Sequence, residues 1–209
     1  TGVQTCALPI CANLSGKPSP TTANHVSDDL TGRISGIVDS GATGVGLEST
    51  VVDCTGEIPA ILRPGGVTKE QLEAVVGEVS VDPALKDSNQ APKSPGMKYR
   101  HYAPNAPFYL VDGTREEIQQ LVNEKRAEGL KVGVMTTKEN LEFYDADIVI
   151  PCGERARLET VAEALYDTLR AFNQEEIDII FGEIFSEHGL GQAIMNRLSK
   201  ASGLQIIEK

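Results

Sequence analysis

Four prolines punctuate the middle of the chain and separate two parts that follow different patterns. Pro92, Pro95, Pro104 and Pro107 each lack a backbone donor and restrict the residue before them, so no regular helix or strand can run through this stretch. Short β-type runs broken by glycine and proline precede it, and strand and helix patterns alternate after it. The sequence therefore predicts two structural units joined by an irregular segment.

The joining segment is unusually rich in functional side chains. Residues 94–104 carry Tyr99, Arg100, His101 and Tyr102 in direct succession. Aromatic faces can stack on a base and cations can bind phosphate, so one interpretation is a lid over a nucleotide site. The other is a semi-rigid tether bounded by prolines. The segment alone leaves both interpretations open.

The first unit is predicted to contain short strands and two short helices. Thr68 is a candidate N-cap for the second helix. The predicted helices are Ala23–Leu30 and a segment from Thr68 to Val76, and the predicted strands are Ile34–Asp39, Glu48–Asp53 and Ala60–Gly65.

The second unit shows the alternation typical of an α/β domain with a parallel sheet and right-handed crossovers. Thr114 and Glu117 form a capping-box pattern that starts a helix. Gly189-Leu190-Gly191 lacks the third glycine of a dinucleotide fingerprint, so it is either an anion-binding turn or a structural one. Strands are predicted at Phe108–Val111, Lys131–Met135, Ile148–Ile150 and Asp178–Phe181, and helices from Thr114 to about Glu128, over Leu158–Phe172 and over Gln192–Ala201.

Three polar positions in the first unit are candidates for ligand contacts. The loop at 13–22 offers hydroxyls, a glycine and Lys17, which suits either a phosphate cradle or a plain turn. Ser49 stands at a predicted strand start. Arg63 follows two apolar residues, so its guanidinium needs an anionic partner, either a carboxylate or a phosphate.

The charge balance narrows the classes of function. The 209 residues carry 30 acidic and 19 basic side chains, a net charge of -11, which argues against a broad nucleic-acid-binding face. The four cysteines and three histidines are scattered, so neither a metal site nor a disulfide framework is expected, and a reducing cytoplasm fits best. No apolar run reaches the roughly 18 residues of a membrane span.

Three motifs taken together resemble the threonylcarbamoyl-AMP synthase family in its long two-domain form. They are Ala-Asn-Leu-Ser-Gly-Lys-Pro-Ser-Pro-Thr at 12–21, Glu-Ser-Thr-Val-Val-Asp at 48–53 with Leu-Arg-Pro-Gly at 62–65, and Ser-Pro-Gly-Met-Lys-Tyr-Arg-His-Tyr-Ala-Pro at 94–104. The resemblance implies a partial YrdC-like catalytic domain at 12–90, a linker or lid at 91–106 and a Rossmann-like domain at 107–209. It also implies condensation of L-threonine, bicarbonate and ATP, with Mg²⁺ accompanying the ATP, to supply a tRNA modification made by a downstream complex.

The family's functional residues map onto individual positions of this sequence. The resemblance implies that Asn13 orients the reacting groups and that Ser49 contacts threonine. It favours phosphate as the partner of Arg63. Implied ATP contacts are Cys11, Ser19, Arg63 and Tyr102, with Tyr99, Arg100 and His101 as further lid candidates.

Two departures from the family pattern concern the start of the chain. Cys11 stands where the family has serine, and a thiol is a poorer hydrogen-bond partner than a hydroxyl. The family's phosphate-binding Lys-x-Arg element lies upstream of Ala12, and residues 1–11 resemble a non-native leader. The expectation is therefore an N-terminally truncated enzyme, and the alternative is a non-catalytic nucleotide- or RNA-binding remnant.

Overall fold

The computed structural model describes residues 12–85 and 102–209, which contain two separate sheets. The three-stranded sheet belongs to residues 12–85, called here the N-terminal part. The five-stranded sheet belongs to residues 102–209, the C-terminal part. No helix within these two ranges is long and apolar enough to cross a membrane.

The N-terminal part contains both predicted helices. Thr22 caps the first, and a capping box of Thr68 and Gln71 starts the second, which explains why local sequence located them. In its sheet β1 pairs antiparallel with β2, and β2 pairs parallel with β3. The elements are α1 (Ala23–Leu30), β1 (Val51–Asp53), β2 (Ala60–Arg63), α2 (Lys69–Val76) and β3 (Ser80–Val81).

Two strand predictions in this part need correction. The strand predicted over Ile34–Asp39 is wrong, because residues 31–45 are exposed and none of the described strands pairs with them. A β-branched run forms a strand only where it has a neighbour and a face to bury. The strand predicted over Glu48–Asp53 begins only at Val51. Its first residues make side-chain contacts instead, as when the Thr50 hydroxyl donates to the carbonyl of Val67 at 2.6 Å.

The C-terminal part confirms the predicted parallel sheet. Its strand order is β6-β5-β7-β4-β8, and every neighbouring pair is parallel. The capping box of Thr114 and Glu117 starts α3 as predicted. The elements are β4 (Phe108–Asp112), α3 (Arg115–Ala127), β5 (Val132–Thr136), β6 (Ile148–Pro151), α4 (Leu158–Ala171), β7 (Ile179–Glu183), α5 (Leu190–Ala201) and β8 (Ile206–Glu208).

This sheet buries apolar side chains on both faces. Alternate residues of β4 separate to opposite sides: Leu110 packs with α4 and α5, and Val111 packs with α3. The apolar stripe predicted for α4 is confirmed, since Val161, Leu165 and Leu169 are fully buried. The helices α4 and α5 therefore lie together on one face, where they also meet the N-terminal part.

Gly46 makes a close backbone contact between the two parts. Its φ is +75°, and a Cβ atom there would lie 2.3 Å from the carbonyl oxygen of Ala162 in α4. Gly41 also has a positive φ, +92°, but a Cβ there would meet nothing within 4 Å. The two glycines thus share the backbone conformation and differ in the steric contact.

We expect Gly46→Ala to lower the free energy of unfolding by about 1–3 kcal/mol more than Gly41→Ala, because only the first adds overpacking to backbone strain. Chemical denaturation of both variants measures the difference. Equal losses would show that the N-terminal part does not press on α4 at Gly46.

Candidate active site

A buried carboxylate, Glu48, joins the two parts. One of its oxygens, Oε1, accepts a hydrogen bond from the Ser19 hydroxyl at 2.5 Å. The other, Oε2, accepts from the Tyr166 hydroxyl at 2.7 Å and from Nε of Arg197 at 3.0 Å. Tyr166 lies on α4, and Arg197 lies on α5 with its side chain wholly buried. The predicted ATP contact Ser19 is therefore connected to the C-terminal part through Glu48.

The charge at this junction is compensated. Burial raises the pKa of Glu48, but the Arg197 guanidinium and the two hydroxyl donors outweigh it, so the pKa lies below its ordinary value. Burial, then the charge of Glu48, raises the pKa of Tyr166 well above its ordinary value. Glu48 is thus an ionised acceptor and Tyr166 a neutral donor at neutral pH.

Ser49 and Arg63 are brought together: Ser49 lies just before β1, and Arg63 is the last residue of β2. Nε of Arg63 donates to the carbonyl oxygen of Ser49 at 3.0 Å, and Nη2 lies 3.3 Å from its hydroxyl. The carbonyl of the next residue, Pro64, accepts from Nη1 of Arg197. The predicted threonine contact and the predicted ATP-binding arginine are therefore neighbours beside Glu48.

Tyr102 lies against the same junction. Its ring centroid is 5.0 Å from that of Tyr166, and the residue is buried. Burial, then the charge of Glu48, raises the pKa of Tyr102 to about 12, while Arg63 acts in the opposite direction. Its φ of +65° is uncommon for a bulky residue and indicates a constrained position. The other lid candidates, Tyr99, Arg100 and His101, lie outside the described residues, as does Cys11.

Asn13 organises the loop that carries Ser19. Its side-chain amide donates to the carbonyls of Leu14 at 2.9 Å and Lys17 at 3.1 Å. Asp29 holds the same loop by accepting from the Leu14 amide at 3.3 Å and from Nζ of Lys17 at 3.4 Å. The loop predicted as either a cradle or a turn is thus a closed turn that presents Ser19.

The C-terminal part also holds this loop. Arg170 on α4 donates to Asp29 at 2.8 Å and to the carbonyl of Pro18 at 2.5 Å. Burial raises the pKa of Asp29, but the hydrogen bonds and charge of Arg170 outweigh this effect, so the pKa is lowered. His25 on α1 adds a contact with Asp167 at 3.0 Å. Tyr166, Asp167 and Arg170, which fall within about one turn of α4, therefore all contact the N-terminal part.

These carboxylates give stability a definite pH dependence. The folded-state pKa values of Asp29 and Glu48 lie below their unfolded values, so their contribution is present above the unfolded values and is lost as pH falls through the folded ones. We expect the free energy of unfolding to fall as pH drops below about 4. Glu48→Gln should make this fall shallower, measured by denaturation between pH 7 and 3. The exposed Glu142, changed to Gln, serves as the control, and an equal effect there would refute the assignment.

A second polar cluster lies at the carboxyl edge of the five-stranded sheet, where open α/β domains bind ligands. A cleft of about 500 Å³ is lined there by Arg115, Arg155 and Glu183. The buried Glu183 accepts from Thr136 at 2.6 Å, from Asn140 at 2.9 Å and from Tyr144 at 2.9 Å, and it pairs with Arg155. Burial, then Glu183, raises the pKa of Tyr144.

The N-termini of α3 and α5 each contact a carboxylate of the chain itself. Glu117 accepts from the Thr114 amide at 2.7 Å at the start of α3. Glu70 of the N-terminal part accepts from the Gly189 amide at 3.3 Å at the start of α5. The turn at Gly189, predicted as either anion-binding or structural, thus contacts an internal anion.

The sequence interpretation missed Glu48, Tyr166 and Arg197. Glu48 stands in the motif Glu-Ser-Thr-Val-Val-Asp at 48–53, in which only its neighbour Ser49 is a predicted site residue. Arg197 carried a signal, because it falls at helical spacing among buried residues of α5, including Ile194 and Leu198. A charged residue on an apolar helix face needs a buried partner.

Comparison with known proteins gives consistent results. A family model described as "Threonylcarbamoyl-AMP synthase, C-terminal domain" matches residues 67–203, and one described as "Telomere recombination" matches residues 9–65. Threonylcarbamoyl-AMP synthase of Bacillus subtilis (strain 168) is 55% identical over 208 residues, covering 98% of this chain and 60% of the relative. The Pyrococcus abyssi protein of the same name is 45% identical over 202 residues, covering 94% and 58%.

A solved structure is similar in fold as well as in sequence. The crystal structure described as P. abyssi Sua5 complexed with L-threonine superimposes with a TM-score of 0.86 at 45% identity, covering 96% of this chain and 58% of that one. The chain thus spans about 60% of the length of the curated relatives that it matches.

Proposed function

Because this chain belongs to the threonylcarbamoyl-AMP synthase family, we propose that it forms the greater part of an enzyme that condenses L-threonine, bicarbonate and ATP into threonylcarbamoyl-AMP and pyrophosphate. The proposal includes the division at residues 90 and 107 and a cytoplasmic location. The product supplies a downstream complex that modifies an adenosine of tRNA. A related structure described as a complex with L-threonine supports the choice of amino acid.

The convergence of Ser19, Ser49, Arg63 and Tyr102 carries this proposal. These residues belong to three motifs of the sequence, and the family resemblance predicts a ligand contact for each of them. In the structure Arg63 contacts Ser49, Ser19 contacts Glu48, and Glu48 acts electrostatically on Tyr102. Residues that bind the same substrates must lie close together, and these four predicted contacts do.

The residues suit a reaction between two anions. The carbamate of threonine attacks the α-phosphorus of ATP, so a new P–O bond forms while the bond to pyrophosphate breaks. No covalent nucleophile is required, and catalysis consists of alignment and charge neutralisation. Arg63 supplies a cation near the reacting phosphate, and the Ser49 hydroxyl, held by the same guanidinium, orients the threonine.

A Mg²⁺ ion is expected to accompany ATP, and the described residues bear on which groups would hold it. Within residues 12–85 and 102–209 no group of three or more His, Cys, Asp or Glu side chains is arranged to hold a metal ion. Mg²⁺ that accompanies ATP is held mainly by phosphates and water in sites of this kind, where it neutralises phosphate charge. In the proposal the described side chains bind the nucleotide, and Asn13 keeps the loop of Ser19 in place.

A test uses a protein of the relatives' full length. In this hybrid, the sequence of the Bacillus subtilis relative that precedes its counterpart of residue 12 is joined ahead of residue 12. Pyrophosphate release should require both threonine and bicarbonate. Release that ignores either substrate, or nucleotide binding without turnover, contradicts the proposal, and the latter result favours the non-catalytic alternative.

A further inference from the structure

Helices α4 and α5 contact each segment that carries a proposed substrate contact. Arg170 donates to the carbonyl of Pro18, beside Ser19. Arg197 donates to Glu48, beside Ser49, and to the carbonyl of Pro64, beside Arg63. The ring of Tyr166 packs on Tyr102. These contacts all come from α4 and α5, two helices with a shared buried core.

We infer that Tyr166 and Arg197 are positioning residues, which fix the ATP contacts and the threonine contact relative to each other through the buried carboxylate of Glu48. The inference rests on the proposed function for the identity of the substrates. The inference assigns the C-terminal part a role in that reaction. Its helices keep the residues of the substrate site at fixed positions relative to each other.

The orientation of Glu48 determines what Ser19 offers to a ligand. Tyr166 and Arg197 occupy Oε2, which leaves Oε1 facing Ser19. Because Glu48 is ionised, the Ser19 hydroxyl must donate its single proton to it. The orientation of the carboxylate therefore fixes the direction in which the Ser19 hydroxyl points its proton.

Arg197 links the segment just before β1 to the segment just after β2, beside the proposed threonine contact. Its guanidinium reaches Oε2 of Glu48 at 3.0 Å, the Glu48 carbonyl at 3.4 Å and the Pro64 carbonyl. These two segments already approach closely, since a Cβ atom on Gly65 would lie 2.4 Å from the Glu48 carbonyl oxygen. A planar fork bound to both segments fixes their spacing, and hence the contact of Arg63 with Ser49.

The chemical nature of the junction supports positioning over simple stabilisation. A buried ion pair offers little advantage in stability over well-packed apolar residues of similar volume. Its value lies in direction, because hydrogen bonds select one orientation of the carboxylate and of every group bonded to it. Both oxygens of Glu48 are used, and both bring separate segments together.

The test compares two isosteric variants of the complete 209-residue chain. Tyr166→Phe removes the hydroxyl that donates to Glu48 and leaves the ring against Tyr102. Tyr144→Phe is the matched control, since it removes a hydroxyl that donates to Glu183, another buried carboxylate of the C-terminal part. Nuclear magnetic resonance follows the side-chain Nε–H signal of Arg63 and the exchange rates of amides in residues 13–22.

We expect Tyr166→Phe to shift the Arg63 signal and to raise amide exchange in the loop about tenfold, because a hydrogen bond to a charged group is lost. Tyr144→Phe should leave both readouts unchanged. Arg197→Lys, which keeps the charge but loses the fork, should shift the Arg63 signal further. If Tyr166→Phe and Tyr144→Phe behave alike, the junction is only structural and the inference is overturned.

The hybrid enzyme separates this inference from the proposed function. There Tyr166→Phe should raise KM for ATP and threonine together, whereas Tyr144→Phe should leave both constants at their parent values. A hybrid without threonine-dependent turnover contradicts the proposed function. In that case the resonance measurements on the 209-residue chain still test whether Tyr166 positions Arg63 and the loop at residues 13–22. Turnover in which Tyr166→Phe changes neither KM contradicts the positioning role directly.

Discussion

Replacing Arg197 by methionine should lower the free energy of unfolding by about 3–5 kcal/mol, because it leaves the buried Glu48 charge without its cation. Methionine keeps much of the volume, so the loss reports the charge rather than a cavity. Arg197 is wholly buried, and it also binds the carbonyls of Pro64 and Glu48. Chemical denaturation of the 209-residue chain measures the change.

Arg157→Met is the control for this prediction. Arg157 also pairs with a glutamate, Glu154 at 2.7 Å, but its side chain is 63% exposed. Exposed pairs contribute about 0–1 kcal/mol, so this variant should be nearly neutral. Adding Glu48→Gln to Arg197→Met should recover part of the lost stability, because no unpaired charge remains. A double variant as unstable as the sum of both single ones would contradict the account.

Replacing Arg63 by methionine in the hybrid enzyme should lower kcat/KM for ATP about 100-fold or more, the usual loss when a donor that stabilises developing charge is removed. KM for threonine should rise as well, because Arg63 binds both the carbonyl and the hydroxyl of Ser49. Initial rates of pyrophosphate release, with each substrate varied in turn, give both constants.

Arg33→Met provides the comparison, since Arg33 is an exposed arginine of the same N-terminal part. It tests whether any loss of positive charge near α1 has the same effect. Arg63→Lys should recover only part of the activity, because lysine lacks the planar fork. Equal rates in the Arg63→Met and Arg33→Met variants would remove Arg63 from the site.

Local sequence predicted those elements whose signals are themselves local. Thr68 and Thr114 cap the helices that follow them, and the stripe of α4 at Val161 and Leu165 follows helical spacing, so these helices lie where expected. The parallel sheet followed from the alternation of strands and helices. The strand predicted over Ile34–Asp39 failed because a strand depends on a partner, which its own residues do not specify.

The candidate site divides in the same way. Resemblance located Ser19, Ser49 and Arg63, whose types stand in recognisable motifs. Glu48 and Arg197 escaped because a buried ion pair across 149 positions exists only once the chain has folded. An arginine within an apolar helical stripe indicates that a buried acidic or carbonyl partner is needed. The sequence spacing does not identify which residue that partner is.

Carboxylates of the chain itself contact the C-terminal part at places where similar domains bind phosphate, and this has a consequence for nucleotide stoichiometry. Domains of this shape commonly receive phosphates at a helix N-terminus or above the sheet's carboxyl edge. Here Glu117 and Glu70 contact the starts of α3 and α5, and Glu183 lies in the cleft. A triphosphate would have to displace or approach anions that are already bonded. The C-terminal part thus has the topology of a nucleotide-binding domain, but its usual phosphate-binding positions contact carboxylates of the same chain. We therefore expect ATP to bind only at the proposed active site, with one molecule per chain.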